Sequence, residues 1–477
     1  MASRLLEQRV GAKMAISGFE TALQTLREQN EDPEATLNAI VTLAEAGSQS
    51  SAARERLAAP EILQALMNLL DSSLQVDRAA SSTLPCIRCI GNACVDNDAA
   101  RQIVTDHGFS WTREVFAAVL QDVDVKVTAF SALHNVCLDF EPAQRKCCEE
   151  SVHEDVLRFY LQDVLECDGQ RAKTLGSMVA TWLLSVCEKR EKWHPLRDDA
   201  SRKHLLDFPH ALHNHGLDAD DFATATEVAL IYLRDERQQE SFIRQQLIEK
   251  VWTILEDCEG LIAKEEDPEN VQLLVPLSTS LTWCLSDTAA SPEFAEIYAV
   301  REDFVRGKMF DAIKFSTRKQ AFESKGLRLA SAACQVLGNL LWSLKAKGSS
   351  APEIDVVDAD LHAALMDLLS TMDEAEALYS VTGLLIQMCR YSAEYKTKLC
   401  GDERLSAVLT CLCESESKEV RQAGMKLLQL LGKDNSAVRE RFAGLAKRVM
   451  ESLVSEQSSI QQQQQLQQNG SVVEVPD

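Results

Sequence analysis

Arg88-Cys89-Ile90-Gly91-Asn92-Ala93-Cys94-Val95-Asp96-Asn97-Asp98-Ala99-Ala100-Arg101 is the stretch on which the reading of this chain turns. Its layout returns at Ser131-Ala132-Leu133-His134-Asn135-Val136-Cys137-Leu138-Asp139-Phe140-Glu141-Pro142-Ala143-Gln144-Arg145, and in part at Val336-Leu337-Gly338-Asn339-Leu340-Leu341-Trp342. Each copy sets an Asn inside an apolar helical segment, directly after a Gly or a His. The first two add a Cys two residues on, an acid four on, and an Arg nine or ten on. A helical unit that returns every forty-odd residues implies stacked repeats, each burying its apolar face on its neighbours.

Working outward, the same short-then-long alternation spreads along the chain. An opening helix over Leu5–Glu28 leads to Asp32-Pro33, a cap and first-turn pair that starts the repeats. The first runs as helices to Glu45, over Ser50–Leu57 and over Glu61–Leu70. Later units fall near 76–121, 123–168, 171–206, 220–259, 270–313, 325–371, 374–414 and 417–454, with Pro85 kinking or delimiting the helix that carries Asn92. The least periodic stretches are Lys189–Asp218, rich in charge and His, then Cys258–Asn270 and Lys345–Pro352, which read as long loops or distorted repeats. The expected fold is all-α: an armadillo-type, right-handed superhelical solenoid of about nine repeats. Its expected divisions are an N-terminal helical cap (1–33), the solenoid (34–455) and a disordered Gln-rich tail (456–477).

Composition supports helix and narrows the function. Hydrophobic residues make up 45% and aromatics 6%, a Leu- and Ala-rich mixture suited to helices. Acids outnumber bases 73 to 49, and a formal charge of -24 repels nucleic acid and anionic membrane while favouring a basic partner. Fifteen Cys without framework spacing and no signal-like N-terminus point to a reducing, cytoplasmic or nuclear compartment. No apolar run is long enough to insert into a bilayer. Phosphate-loop, dinucleotide and nucleophile-elbow motifs are missing, so a non-enzyme without cofactor is expected. Cys86-x-x-Cys89 with Cys94 reads as helix packing, and His204, His210, His213 and His215 as a solvated loop, so no metal is expected.

In three-helix repeats the third helices line a concave groove, and a polar residue in an apolar third helix either reaches into that groove or braces the neighbouring repeat. Both readings stand open for Asn92, Asn135 and Asn339. As a groove residue, an amide offers one acceptor and two donors with which to clamp a bound backbone. The acids Asp96, Asp98, Asp139 and Glu141 lie near a helix C-terminus, where they oppose the dipole at a cost of a few tenths of a kcal/mol. Either a basic ligand or the nearby Arg101 and Arg145 would relieve them.

These residues carry a family likeness. Gly91-Asn92-Ala93-Cys94-Val95-Asp96-Asn97 followed by Arg101, with a divergent copy ending in Gln144-Arg145, resembles the armadillo-repeat small-GTPase GDP-dissociation stimulators, the smgGDS family. The likeness is strongest over 76–165 and weaker over 325–455. It implies a monomeric binding protein for GTPases of the Rho and Rap type, whose C-termini are polybasic and prenylated. Such a protein promotes GDP release and chaperones its partner. By motif position it implies a GTPase-facing groove at Asn92, Asn97, Asn135 and Asn339, with Asp139 and Gln387 beside them. Alternatives are a general armadillo scaffold and an import-like adaptor for basic peptides. The import adaptor uses a Trp four residues before each Asn, where this chain has Arg88, Ser131 and Gln335.

Overall fold

The computed structural model describes residues 18–28, 32–76, 81–117, 122–165, 169–189, 196–317, 325–348, 354–433, 435–449 and 451. The Gln-rich tail and most of the opening cap lie outside them. Among the described residues all regular structure is helical.

Local sequence sets the helix starts. Asp32 accepts a hydrogen bond from the Glu34 amide at 3.0 Å with Pro33 in the first turn, as the sequence leads one to expect. Ser50, Asn97, Asp122, Asp218 and Ser417 cap later helices the same way, each satisfying an amide that has no carbonyl partner within the helix. Pro85 sits in the first turn of Thr83–Ala93, where its missing N–H costs nothing.

The helices group in triplets of two shorter members and a long third, the armadillo pattern. The chain forms two compact units, Met1–Gln239 and Glu240–Asp477. In the first, Asp98–His107, Ser110–Phe116 and Val123–Cys137 make one triplet. Glu141–Glu149, Val152–Phe159 and Gly169–Cys187 make the next, with a π-helical turn at Tyr160–Val164 lengthening the middle member. The third helices form a ladder: Pro33–Gln49 packs on Thr83–Ala93, which packs on Val123–Cys137. In the second unit the equivalent ladder is Pro268–Ala289, Lys325–Lys347, Ala375–Tyr391 and Lys418–Gly432. Ile40, Leu43, Leu63, Leu133 and Leu385 are fully buried between these layers, each contributing about 1.5–3 kcal/mol of apolar transfer.

Two stretches expected to be irregular are helical. Asp199–Asn214 is a helix despite its charge and His content, because Asp198 caps it and Leu205, Leu206, Phe208 and Leu212 recur at core spacing. Ile248–Ile262 likewise runs straight through Cys258, leaving only a short connection before the Asp267–Pro268 cap of the next helix.

Candidate functional site

The three motif asparagines are braces between repeats, Asn92 and Asn135 in the first unit and Asn339 in the second. Asn92 Nδ2 donates to the Ala44 carbonyl at 3.3 Å, Asn135 Nδ2 to the Gly91 carbonyl at 3.2 Å, and Asn339 Nδ2 to the Ser286 carbonyl at 2.8 Å and its hydroxyl at 2.9 Å. Each bond runs from one third helix to the third helix of the preceding repeat. Gly91 and Ser286 lie in the last turns of their helices, where the Val95 and Ala290 amides bond Asn92 and Asp287 instead, so the Asn side chain supplies a donor to a carbonyl at the helix end. All three side chains are half-buried, so the bracing nitrogen is held while the residue still borders solvent. Gly91 explains the closeness: a Cβ there would stand 2.9 Å from Ala132 Cβ.

The remainder of the repeated element ties one repeat to the next. Arg101 is only 6% exposed, and its Nε donates to the Cys94 carbonyl at 3.0 Å and the Asn135 carbonyl at 3.1 Å while Nη1 pairs with Asp98. In the next repeat the same place is taken by Gln144, whose Nε2 donates to the Cys137 carbonyl at 2.9 Å. Arg145, which sequence spacing makes the counterpart of Arg101, instead forms a surface pair with Glu141. Asn97 caps Asp98–His107 by accepting from the Ala100 amide at 3.0 Å. Asp98 and Glu141 therefore lie in the first turn of the following helix, where the dipole favours an anion, and the expected opposition does not arise for them. Asp96 and Asp139 take matching left-handed conformations, φ 52° and 54°, at the two chain reversals. Asp139 is exposed.

In the second unit, Gln387 packs its Cγ 3.9 Å from the Cβ position of Gly338 and is half-buried. Gln335 Nε2 donates to the Ser380 hydroxyl at 3.0 Å, so neighbouring turns of Lys325–Lys347 reach the helix before it and the helix after it. The structure adds residues that the motif did not single out: Trp283, Trp342 and Tyr379 stand exposed on the three successive third helices. An aromatic three residues after Asn339 was the available sequence signal, since that spacing shares its helix face.

The titratable groups are mostly set by burial. It pushes the Cys86, Cys94 and Cys389 thiols up to about 12, far from a nucleophile's range. Every cysteine among the described residues is a free thiol, and no described group of His, Cys, Asp and Glu has metal-binding geometry. His204 is half-buried on its helix, and burial holds its imidazole below the ordinary value. No described helix is long and apolar enough to cross a membrane.

No protein-family model matches this sequence, and no curated protein matches it. Among solved structures, importin beta crystallised in ammonium sulfate aligns over 91% of this chain and 47% of its own at 15% identity, with a TM-score of 0.36. A SYS-1/POP-1 complex aligns over 92% and 88% at 10% identity and the same score. A structure from work on the cadherin and beta-catenin interaction aligns over 88% and 91% at 12% identity, with a TM-score of 0.26. This chain spans about half the length of the importin beta chains it matches. The fold stands on the helix triplets themselves: the chain is an all-α, armadillo-type solenoid.

Proposed function

We propose that this chain is a non-catalytic binding protein for small GTPases of the Rho and Rap type, promoting GDP release and chaperoning the prenylated form. The observation that carries the reading is the doubled element over Gly91–Arg101 and His134–Arg145, the part of the sequence that resembles the GDP-dissociation stimulators. The chain's charge of -24 suits a polybasic partner. Each unit offers its own third-helix strip to such a partner: half-buried Asn92 and Asn135 in the first, with Asn97 and Asp139 at the ends of the repeated helices, and half-buried Asn339 and Gln387 in the second.

Exchange in such a complex is a matter of differential affinity. A protein that gripped the GDP-bound and nucleotide-free GTPase equally would shift nothing, so the strip must fit the nucleotide-free surface better. Sheltering a prenyl chain between repeats would add about 0.8 kcal/mol per methylene. The braced asparagines suit this work, because side chains whose nitrogens are fixed lose little further entropy on binding.

The test is release of a fluorescent GDP analogue from Rho- and Rap-type GTPases, prenylated and unprenylated, with and without the purified chain. Faster release from at least one of them is expected. If none binds and none releases nucleotide faster, the proposal fails and only the solenoid remains.

A further inference from the structure

Trp283 is 63% exposed, Trp342 52% and Tyr379 51%, although large aromatics are normally buried in a helical stack. Their helices, Pro268–Ala289, Lys325–Lys347 and Ala375–Tyr391, are consecutive rungs of one ladder. Two bonds fix the register: Asn339 to Ser286 on one side, and Gln335 to Ser380 on the other. Counted from them, Trp283, Gln335 and Tyr379 lie within a turn of a common level across the three helices. Trp342 follows Gln335 by two turns on the same strip.

Each outer aromatic has an exposed carboxylate one turn away on its own helix, Asp287 after Trp283 and Glu376 before Tyr379. Neither acid is in an ion pair with a described residue, whereas Glu296, Asp367 and Asp402 on the same repeats lie against Lys347 or Arg404. At the level of Gln335 the middle of the row is uncharged, and Lys345, exposed one turn beyond Trp342, bounds the strip on that side. We propose that this strip binds an extended polypeptide segment carrying two Lys or Arg side chains, one against Trp283 and Asp287 and the other against Tyr379 and Glu376.

Charge selects the occupant. The aromatic faces are the negative side of a quadrupole and attract cations, and the adjoining carboxylates add to that attraction. An anionic segment would be repelled, and a purely apolar one would desolvate both carboxylates without compensation. Geometry sets the spacing. Two steps between packed helices cover about 16–20 Å, and a chain extended at about 3.3–3.6 Å per residue crosses that in about five residues. The segment's backbone then passes over Gln335, with Trp342 two turns further along the same helix.

The inference is independent of the GTPase reading, because its probe contains no GTPase. A fluorescein-labelled peptide with two Arg about five residues apart in a Gly and Ser background is titrated with the full chain, and anisotropy is followed at low and physiological salt. Saturable, salt-weakened binding is expected. Trp283→Ala with Tyr379→Ala should weaken it about tenfold or more, and so should Asp287→Asn with Glu376→Gln, both pairs keeping the wild-type circular dichroism. Moving the two Arg to adjacent positions should weaken it about fivefold, since one cation then loses its slot. Absence of binding to the wild type, equal binding by the aromatic double variant, or equal binding of a Glu-substituted peptide would each overturn the assignment.

Discussion

Replacing Arg101 with Ala should loosen the first unit at the junction between two repeats. The side chain is 6% exposed, and its single Nε–H is shared between the Cys94 and Asn135 carbonyls at 3.0 and 3.1 Å. A shared donor counts as roughly one charge-assisted bond, about 1.5–3 kcal/mol. Truncation also removes the donor to the Asn135 carbonyl, leaves the Cys94 carbonyl with only the Asn97 amide at 3.4 Å, and removes the packed side-chain stem. The pair with Asp98 adds little, because that carboxylate is 75% exposed. The sum is about 3 kcal/mol. Arg101→Gln should recover roughly half of it, because Gln144 performs the same task on the Cys137 carbonyl at 2.9 Å one repeat later. Equilibrium urea unfolding gives the total, and amide hydrogen exchange over 83–149 locates it, with protection falling at the C-terminal turns of Thr83–Ala93 and Val123–Cys137. An Ala variant within about 0.5 kcal/mol of wild type, or a Gln variant no better than Ala, would refute the reasoning.

Two further outcomes follow from particular contacts. Gly91→Ala should destabilise, because the added Cβ meets Ala132 at 2.9 Å and overpacking of about 1–3 kcal/mol exceeds the gain of about 1 kcal/mol in helix propensity. Gly338→Ala, whose nearest neighbours are at 3.9 Å, should instead stabilise by up to about 1 kcal/mol; thermal melts of the two variants moving in the same direction would contradict this. Stability should also fall with acid below the ordinary histidine range. Burial holds the His362 imidazole below its usual 6.5, against the pull of Asp402 at 2.9 Å. Although burial pushes the Asp402 carboxyl up, hydrogen bonds from Arg404 and His362 hold it down at about 2. The unfolded chain therefore takes up the histidine proton first, so this stability is complete above 6.5 and declines as pH drops through that value toward the lower folded one. Urea midpoints measured from neutral to mildly acidic pH should slope less for His362→Gln than for wild type, and parallel slopes would count against it.

Much of the fold could be read from residues 88–145. The recurrence of an Asn in apolar surroundings, the caps at Asp32 and Asn97, and the Leu- and Ala-rich composition are local properties, and local properties decide where helices start and how often units repeat. The His-rich stretch was harder to read, because charge and Pro209 masked a core stripe of Leu205, Leu206, Phe208 and Leu212 that became a helix face only when packed. The roles within the repeated element were legible only in part. Spacing made Arg145 the counterpart of Arg101, but the helix after Asn135 carries its polar anchor at Gln144, nine residues on, as Arg101 is from Asn92.

By itself, then, the sequence determined an all-helical chain of stacked triplets, acidic and without the motifs of common catalytic classes. Tertiary structure decided what the asparagines do, turning their amide nitrogens onto Ala44, Gly91 and Ser286, and it left Trp283, Trp342 and Tyr379 in solvent. The physical reason is range. Helix period and capping depend on neighbours within a turn or two, whereas the partner of Asn92 or Gln335 depends on the register between helices more than forty residues apart. That register is set by close approaches such as Gly91 against Ala132, which no window along the chain contains.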